Sequence, residues 1–284
     1  MTIKFITDGA ADLPLDFVEK NKIKVVPLNI RFGEQQFKTG IDIDNQTFYK
    51  MMRETEELPK SSCPSPQDFL AAYLEVPEDQ AIIVFALSKS LSGTYDSAVL
   101  AKSMLLEDQP SRQIEVIDTK TGSCGQILLI REAIELREKG AGFDAIVLHT
   151  EKAIEKTQTL ILLETLENVI KGGRLSKTKA AIANALNIRI ILGVSKEGAI
   201  EVKEKVRGNK KVLRRFIDQI DEYGSHFEEK ILTMTHSNCE DKALSILGEL
   251  KDRYKFKETI LSEMGPLIGT YAGEGGIVIS FKSN

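Results

Sequence analysis

The chain is poor in the residues that build covalent or metal frameworks. Its 284 residues hold three cysteines (Cys63, Cys124 and Cys239) and three histidines (His149, His226 and His236). The cysteines form no C-x-x-C pair and no even set, which argues against a disulfide scaffold or a zinc site and suits a reducing compartment. None of the histidines lies in a recognisable catalytic motif. No apolar run approaches the ~20 residues that a membrane-crossing helix needs. No basic-plus-apolar leader opens the sequence, so a cytoplasmic location is expected. There is no G-x-x-x-x-G-K-[ST] loop, which sets aside an autonomous P-loop kinase. A net charge of −4 disfavours general nucleic-acid binding. No internal repeat or low-complexity tract is present.

What remains is an ordinary globular composition, 42% hydrophobic and 28% charged. That length suits one large or two modest domains. In the first half, short apolar runs alternate with helical patterns. Strands are expected at 3–7, 24–32, 81–87 and 114–119, with 33–40 as the return arm of a hairpin. Helices are expected after Pro14, from Asp44 to about Arg53, after the Ser65 cap with Pro66 at its first position, and from about Gly125 to Gly140. This alternation indicates βαβ units and a parallel sheet. The second half mixes helices at 143–156, at 209–223 and up to about Tyr254 with strands at 159–164, 187–194, 201–208, 230–236, 258–265 and 275–282. A second α/β domain is therefore expected, beginning near 145–160.

Four stretches carry chemistry. The first is "SLSGTYDSA" (90–98), a loop that leaves the end of a parallel strand and enters a helix, where ligands bind in such sheets. Ser92 or Thr94 is expected as N-cap, and the free N–H groups of a helix start attract an anion. Gly93 would let backbone approach a ligand. Three readings stay open here: a plain cap, an anion cradle, or a nucleophilic Ser92. The last lacks the G-x-S-x-G elbow. The second stretch is "PKSSCPSP" (59–66), where Ser61 and Ser62 could add donors beside Ser92 if the two loops are neighbours. It reads equally as a Pro-rich surface loop, with Cys63 a buried small residue. The third runs from Asn168 to Leu186. Gly172 and Gly173 end a helix, Arg174 follows, a new helix begins near Ser176, and Lys171, Arg174, Lys177 and Lys179 make a basic cluster. The fourth, "GPLIGTYAGEGG" (265–276), reads as a Gly-rich loop containing the hydroxyl of Tyr271.

Taken together, "ITDGAADLP" (6–14), "SSCPSP" (61–66), "SLSGTYDSA", "IKGGRLSKTKA" (170–180) and "GPLIGTYAGEGG" resemble, in order and spacing, the motifs of the DegV family of bacterial fatty-acid-binding proteins. The resemblance spans residues 6 to about 278. It implies a two-domain DegV-like α/β fold, with an N-terminal parallel-sheet domain over 1–155 and a C-terminal mixed α/β domain over 156–284. One long-chain fatty acid would be buried between or beside them. By the same resemblance Ser92 and Ser61 hold its carboxylate, and a separate fatty acid kinase turns the presented acid into an acyl phosphate. Ser62, Thr94, Arg174 and Tyr271 complete the candidate set. The chain would then be a lipid-binding subunit rather than an enzyme, with no metal and no cofactor. Gly9, Cys63, Tyr271 and Glu274 stand where the family commonly has serine, glutamine, histidine and proline. Two other functions are carried beside this one: a lipid sensor without a kinase partner, and a serine hydrolase using Ser92.

The physical chemistry suits a fatty acid. Helix-start N–H groups and two hydroxyls can satisfy a carboxylate. At ~0.8 kcal/mol per buried methylene, a tail of about 15 carbons gains on the order of 10 kcal/mol, less ordering costs. The basic segment 207–216 could give transient contact with anionic lipid or the kinase, or be an ordinary amphipathic surface helix.

Overall fold

The structure is a computed structural model that describes residues 2–176 and 188–284. Strand β1 (Ile3–Asp8) is followed by α1 (Leu15–Asn21), which starts behind Pro14. The expected strand over 24–32 divides into β2 (Lys24–Val26) and β3 (Asn29–Phe32). Pro27, with no N–H for a ladder, stands at the break. The two pieces join different sheets. Strand β4 (Gln35–Lys38) returns antiparallel to β3 as expected. Helix α2 (Asn45–Glu54) is capped by the Asp44 carboxylate, which accepts the Thr47 N–H.

The segment 59–66 is not a plain loop. Its β5 (Lys60–Ser62) pairs antiparallel with β3 and completes a three-stranded sheet, β4-β3-β5. Helix α3 (Pro66–Leu74) opens with a reciprocal capping box between Ser65 and Asp68. Next come β6 (Ala81–Ala86), α4 (Thr94–Asp108), β7 (Ile114–Asp118), α5 (Cys124–Glu138) and α6 (Phe143–Lys156).

Strands β2-β1-β6-β7 form one all-parallel sheet. Every residue of β6 is buried, as its unbroken apolar run requires of a strand covered on both faces. The strand order reverses between β1 and β6, so their carboxyl ends flank the crevice where such sheets bind ligands.

The C-terminal part comprises β8 (Thr157–Leu162), α7 (Glu167–Lys171), β9 (Ile188–Val194), β10 (Ile200–Arg207), α8 (Asn209–Tyr223), β11 (Ile231–His236), α9 (Glu240–Tyr254), β12 (Glu258–Glu263), α10 (Pro266–Ala272) and β13 (Ile277–Lys282). Its sheet runs β10-β9-β8-β13-β11-β12. Only the β11–β12 pair is parallel, so the sheet is mixed.

Helix α5 is the wall shared by the two sheets. Residues Cys124 to Ile130 are all buried. Leu129 and Ile130 pack with the parallel-sheet core, while Cys124 and Ile127 pack against the mixed sheet. Apart from Gln126, this first half of the helix is apolar all round because it is covered on every side.

Helix α8 keeps its lipid-like stripe for itself. Val212, Phe216, Ile217 and Ile220 are buried in the core of the mixed sheet. Arg215 pairs with Glu204 and Glu222, and Arg214 with Asp218. The apolar stripe of this basic segment therefore serves the fold. The helix expected to start near Ser176, with Lys177 and Lys179, lies outside the described residues. Among the described residues no helix is long and apolar enough to cross a membrane.

Candidate functional site

A cavity of about 330 Å³ lies between the two sheets, past the ends of β1 and β6. Leu28, Leu87 and Leu91 line it from the N-terminal side, and Ile161, Leu163 and Val278 from the mixed sheet. Its polar groups gather at two places. Ser61, Ser62, Ser92, Arg174 and Tyr271 form one cluster, and Thr121, Ser123 and Thr159 form the other. The volume falls in the range of small-molecule sites, roughly 300–1,000 Å³.

Three elements bring the first cluster together. Strand β5 carries Ser61 and Ser62, held in register by β3 through the Ile30–Ser61 and Asn29–Ser62 pairs. The turn before α4 carries Ser92. Helix α10 carries Tyr271, whose hydroxyl lies 2.5 Å from Ser61 Oγ. The Gly-rich stretch expected to be a loop is thus a short helix, with Pro266 at its first turn and Gly273 (φ 64°) ending it. Arg174 follows α7. Its Nη1 donates to the Gly172 carbonyl at 2.6 Å, its Nε donates to the Leu91 carbonyl at 3.2 Å, and its guanidinium stands 4.8 Å from the centre of the Tyr271 ring. Gly172 makes this possible, because a Cβ there would fall 2.4 Å from Tyr271 Cε1. Of the described members of the expected basic cluster, Arg174 lines the cavity and Lys171 pairs with Glu167.

The turn before α4 differs from expectation. The N-cap is Gly93, with no side-chain cap, rather than Ser92 or Thr94. Ser92 Oγ faces the cavity and lies 2.9 Å from Thr94 Oγ1. Thr94 is fully buried and stands behind the lining, where it steadies Ser92. At Gly93, φ is −71°, and an added Cβ would make only ordinary contact with Cys63 Sγ at 3.5 Å. The fold itself does not demand glycine there. Cys63 is half-buried and lines the cavity, rather than being a buried small residue. Two other hydroxyls of this turn serve the fold. Ser88 Oγ donates to the Gly198 carbonyl at 2.9 Å and Ser90 Oγ to the Glu197 carbonyl at 2.5 Å, tying the turn to the β9–β10 hairpin.

Sequence reasoning missed the polar seam beneath the cavity. Thr121 Oγ1 lies 3.1 Å from Thr159 Oγ1, and Ser123 Oγ lies 2.7 Å from Thr235 Oγ1. Tyr49 joins the seam as acceptor from Ser237 at 3.1 Å and as donor to the Met264 carbonyl. Asp8 ties the ends of β1 and β6 by accepting the Ala10 and Leu87 N–H groups, and burial pushes its carboxyl up to about 6. Asp12 accepts from Ser123 Oγ at 2.5 Å and from the Gly265 N–H at 2.8 Å. The only sequence signal was the opening T-D-x-x-x-D stretch, and it does not name these partners. A second, polar cleft of about 840 Å³ lies on the far side of Thr121, Thr159 and Val194.

None of the chain's histidines lines the cavity. His149 faces Glu132, His226 faces Glu228, and His236 Nδ1 accepts the Cys239 N–H at 3.3 Å. Ser92 therefore has no imidazole base at hand. A guanidinium and several hydroxyls, with no carboxylate among the lining residues, suit a bound anion.

A family model described as "Uncharacterised protein, DegV family" matches residues 2–283. A DegV domain-containing protein of Clostridium acetobutylicum is 36% identical over 276 residues, covering 95% of each chain. The solved DegV family protein of Ruminococcus gnavus, carrying vaccenic acid, superposes with a TM-score of 0.90 at 30% identity over 99% of each chain. The Streptococcus pneumoniae fatty acid kinase B3 protein loaded with linoleic acid superposes at 0.88, with 29% identity over the whole of both chains. With its full length matched and its two sheets shared with these structures, the chain belongs to the DegV family.

Proposed function

We propose that this protein binds one long-chain fatty acid in the cavity between the two sheets and presents its carboxylate to a separate fatty acid kinase. Ser61 and Ser92 donate to the carboxylate, with Ser62, Tyr271 and Arg174 beside them. The observation that carries this reading is a single, mainly apolar cavity whose wall includes a group of hydroxyls with a guanidinium, Ser61, Ser62, Ser92, Tyr271 and Arg174. Gly93 supports it, because neither its φ nor the protein's own packing asks for glycine at that wall. An occupant does. The tail lies against leucine, isoleucine and valine side chains from both sheets, where burial supplies the affinity. Thr94 acts through Ser92, fixing the direction of its lone pairs.

The likeness to the pneumococcal fatty acid kinase B3 protein supports the partnership. In this reading phosphoryl transfer is the work of the separate kinase chain. The hydrolase reading loses ground, since no histidine stands near Ser92. Native mass spectrometry of the purified protein, followed by lipid extraction, tests the reading. One long-chain fatty acid per chain is expected. An apo mass with no uptake of oleate or palmitate overturns it. Loaded protein is then mixed with a purified fatty acid kinase and ATP. Acyl phosphate is the expected product; tight lipid binding without it makes the protein a sensor or carrier.

A further inference from the structure

Asp12 does not itself line the cavity, yet it joins two parts of the wall. It lies in the N-terminal segment just past β1 and is almost fully buried. One carboxyl oxygen accepts from Ser123 Oγ, the residue before α5, in the cavity floor. The other accepts the N–H of Gly265, the residue before α10. Helix α10 brings Leu267, Ile268, Tyr271 and Ala272 to the cavity. A single carboxyl thus braces the starts of two helices, one beside the floor and one forming the wall.

The brace holds a backbone that would not rest there unaided. Ser123 has φ 51° and ψ −129°, a region that L-residues avoid. Three bonds keep it so: its N–H to the Ala10 carbonyl at 2.8 Å, and its hydroxyl to Asp12 and to Thr235. Asp12 is itself left-handed, at φ 50°.

We propose that Asp12 is a positioning residue for the fatty-acid site, and that the protonated carboxyl holds floor and wall together while the ionised carboxylate loosens them. This inference rests on the fatty-acid reading given above. The protonated acid donates to Ser123 Oγ, which donates to Thr235, while the other oxygen keeps the Gly265 N–H. Among the described residues the charges that act on the ionised form are acidic. Asp8 of β1 and Glu263 of β12 face it as acids, and Tyr49 of α2 and Cys124 of α5 as neutral groups. The two helix starts favour the carboxylate, but burial outweighs them and pushes the acid up to about 8. An opened, hydrated Asp12 titrates near its ordinary value of about 3.9. The closed state therefore loses ground as pH rises from about 4 to about 8 and no further above that.

The experiment is release of a fluorescent long-chain fatty acid, timed by stopped flow from pH 5 to pH 9, for the wild type, Asp12→Asn and Ser123→Ala. Asparagine reproduces the protonated brace, with its amide donating to Ser123. The ratio of wild-type to Asp12→Asn release should be smallest at pH 5. It should grow at least about tenfold by pH 8, a factor that one pKa unit of coupling supplies. Ser123→Ala removes a bond that holds the acid down, so its plateau should move to higher pH. This second variant decides the matter if Asp12→Asn does not fold. The fatty acid's own carboxyl titrates in every variant and cancels in their ratio. Binding with coincident pH profiles overturns the role of Asp12 alone. No binding by the wild type at any pH overturns the fatty-acid reading, and this inference with it.

Discussion

Tyr271 shows how much of the site rests on single atoms. Its ring is pinned between Gly172 and the Arg174 guanidinium, and its hydroxyl meets Ser61 Oγ. Tyr271→Phe keeps the ring contacts and removes only the hydroxyl. A hydrogen bond of this kind is worth about 0.5–1.5 kcal/mol net. Fatty-acid affinity should therefore fall by about two- to tenfold, with little change in melting temperature. Equilibrium displacement of a fluorescent fatty acid measures it, and an unchanged Kd would show that the hydroxyl has no part in orienting Ser61. No histidine lines the cavity, so this end of it offers no imidazole to gain charge near neutral pH. Among the described residues the fixed cation in its wall is Arg174.

At the scale of elements, the β9–β10 hairpin and the turn before α4 form one unit. Gly198 sits in the hairpin turn at φ +82°, and an added Cβ would fall 2.2 Å from Ser88 Oγ and 2.9 Å from Lys120 Cα. The side chain could rotate away; the backbone could not. Gly198→Ala should therefore cost more than about 1 kcal/mol. In a chain of this size that lowers the melting temperature by at least about 2 °C. It should also raise fatty-acid release, because Ser92 lies four residues beyond the displaced Ser88. Differential scanning calorimetry reads the first effect; an unchanged melting temperature would mean that the turn is not packed as described. Elements with one local cause were readable in the sequence. Strand β6 is an unbroken apolar run because both its faces are covered, and Ser65 with Asp68 announced α3. Strand β5 was not readable, since three polar residues become a strand only when β3 lies beside them. The break at Pro27 was hidden because apolar residues, Val25 and Val26 before it and Leu28 and Ile30 after it, continue the strand pattern across it.

For the molecule as a whole, the site motifs were readable and the device that closes the site was not. Ser61, Ser92, Arg174 and Tyr271 lie in conspicuous stretches, and the fold brings them to one end of one cavity. Thr94 proved to stand behind that wall. The seam of Asp12, Ser123 and Thr235 left no pattern, because its partners are 111 and 112 residues apart along the chain. Single hydroxyl residues at such distances look like any others. Only the two sheets, closing on α5, give them meaning.

That seam has a consequence for ionic strength. Its inner bonds, Thr121 to Thr159, Ser123 to Thr235 and Ser237 to Tyr49, join uncharged hydroxyls. Full charges also bridge the two halves: Arg53 with Glu274 and Lys257 with Glu135 at the rim, and Arg131 with Glu258 and Lys282 with Glu132 less exposed, along α5. Dissolved ions screen exposed pairs over about 8–10 Å, and such pairs contribute about 0–1 kcal/mol each. They cannot reach hydroxyls sealed between two sheets. Raising sodium chloride from about 0.05 M to about 1 M, roughly a fourfold shortening of the screening length, should leave the rate of fatty-acid release within about twofold. A release that quickened tenfold would place the closure in the rim. If the rate holds, the protein keeps its cargo in dilute and concentrated electrolyte alike.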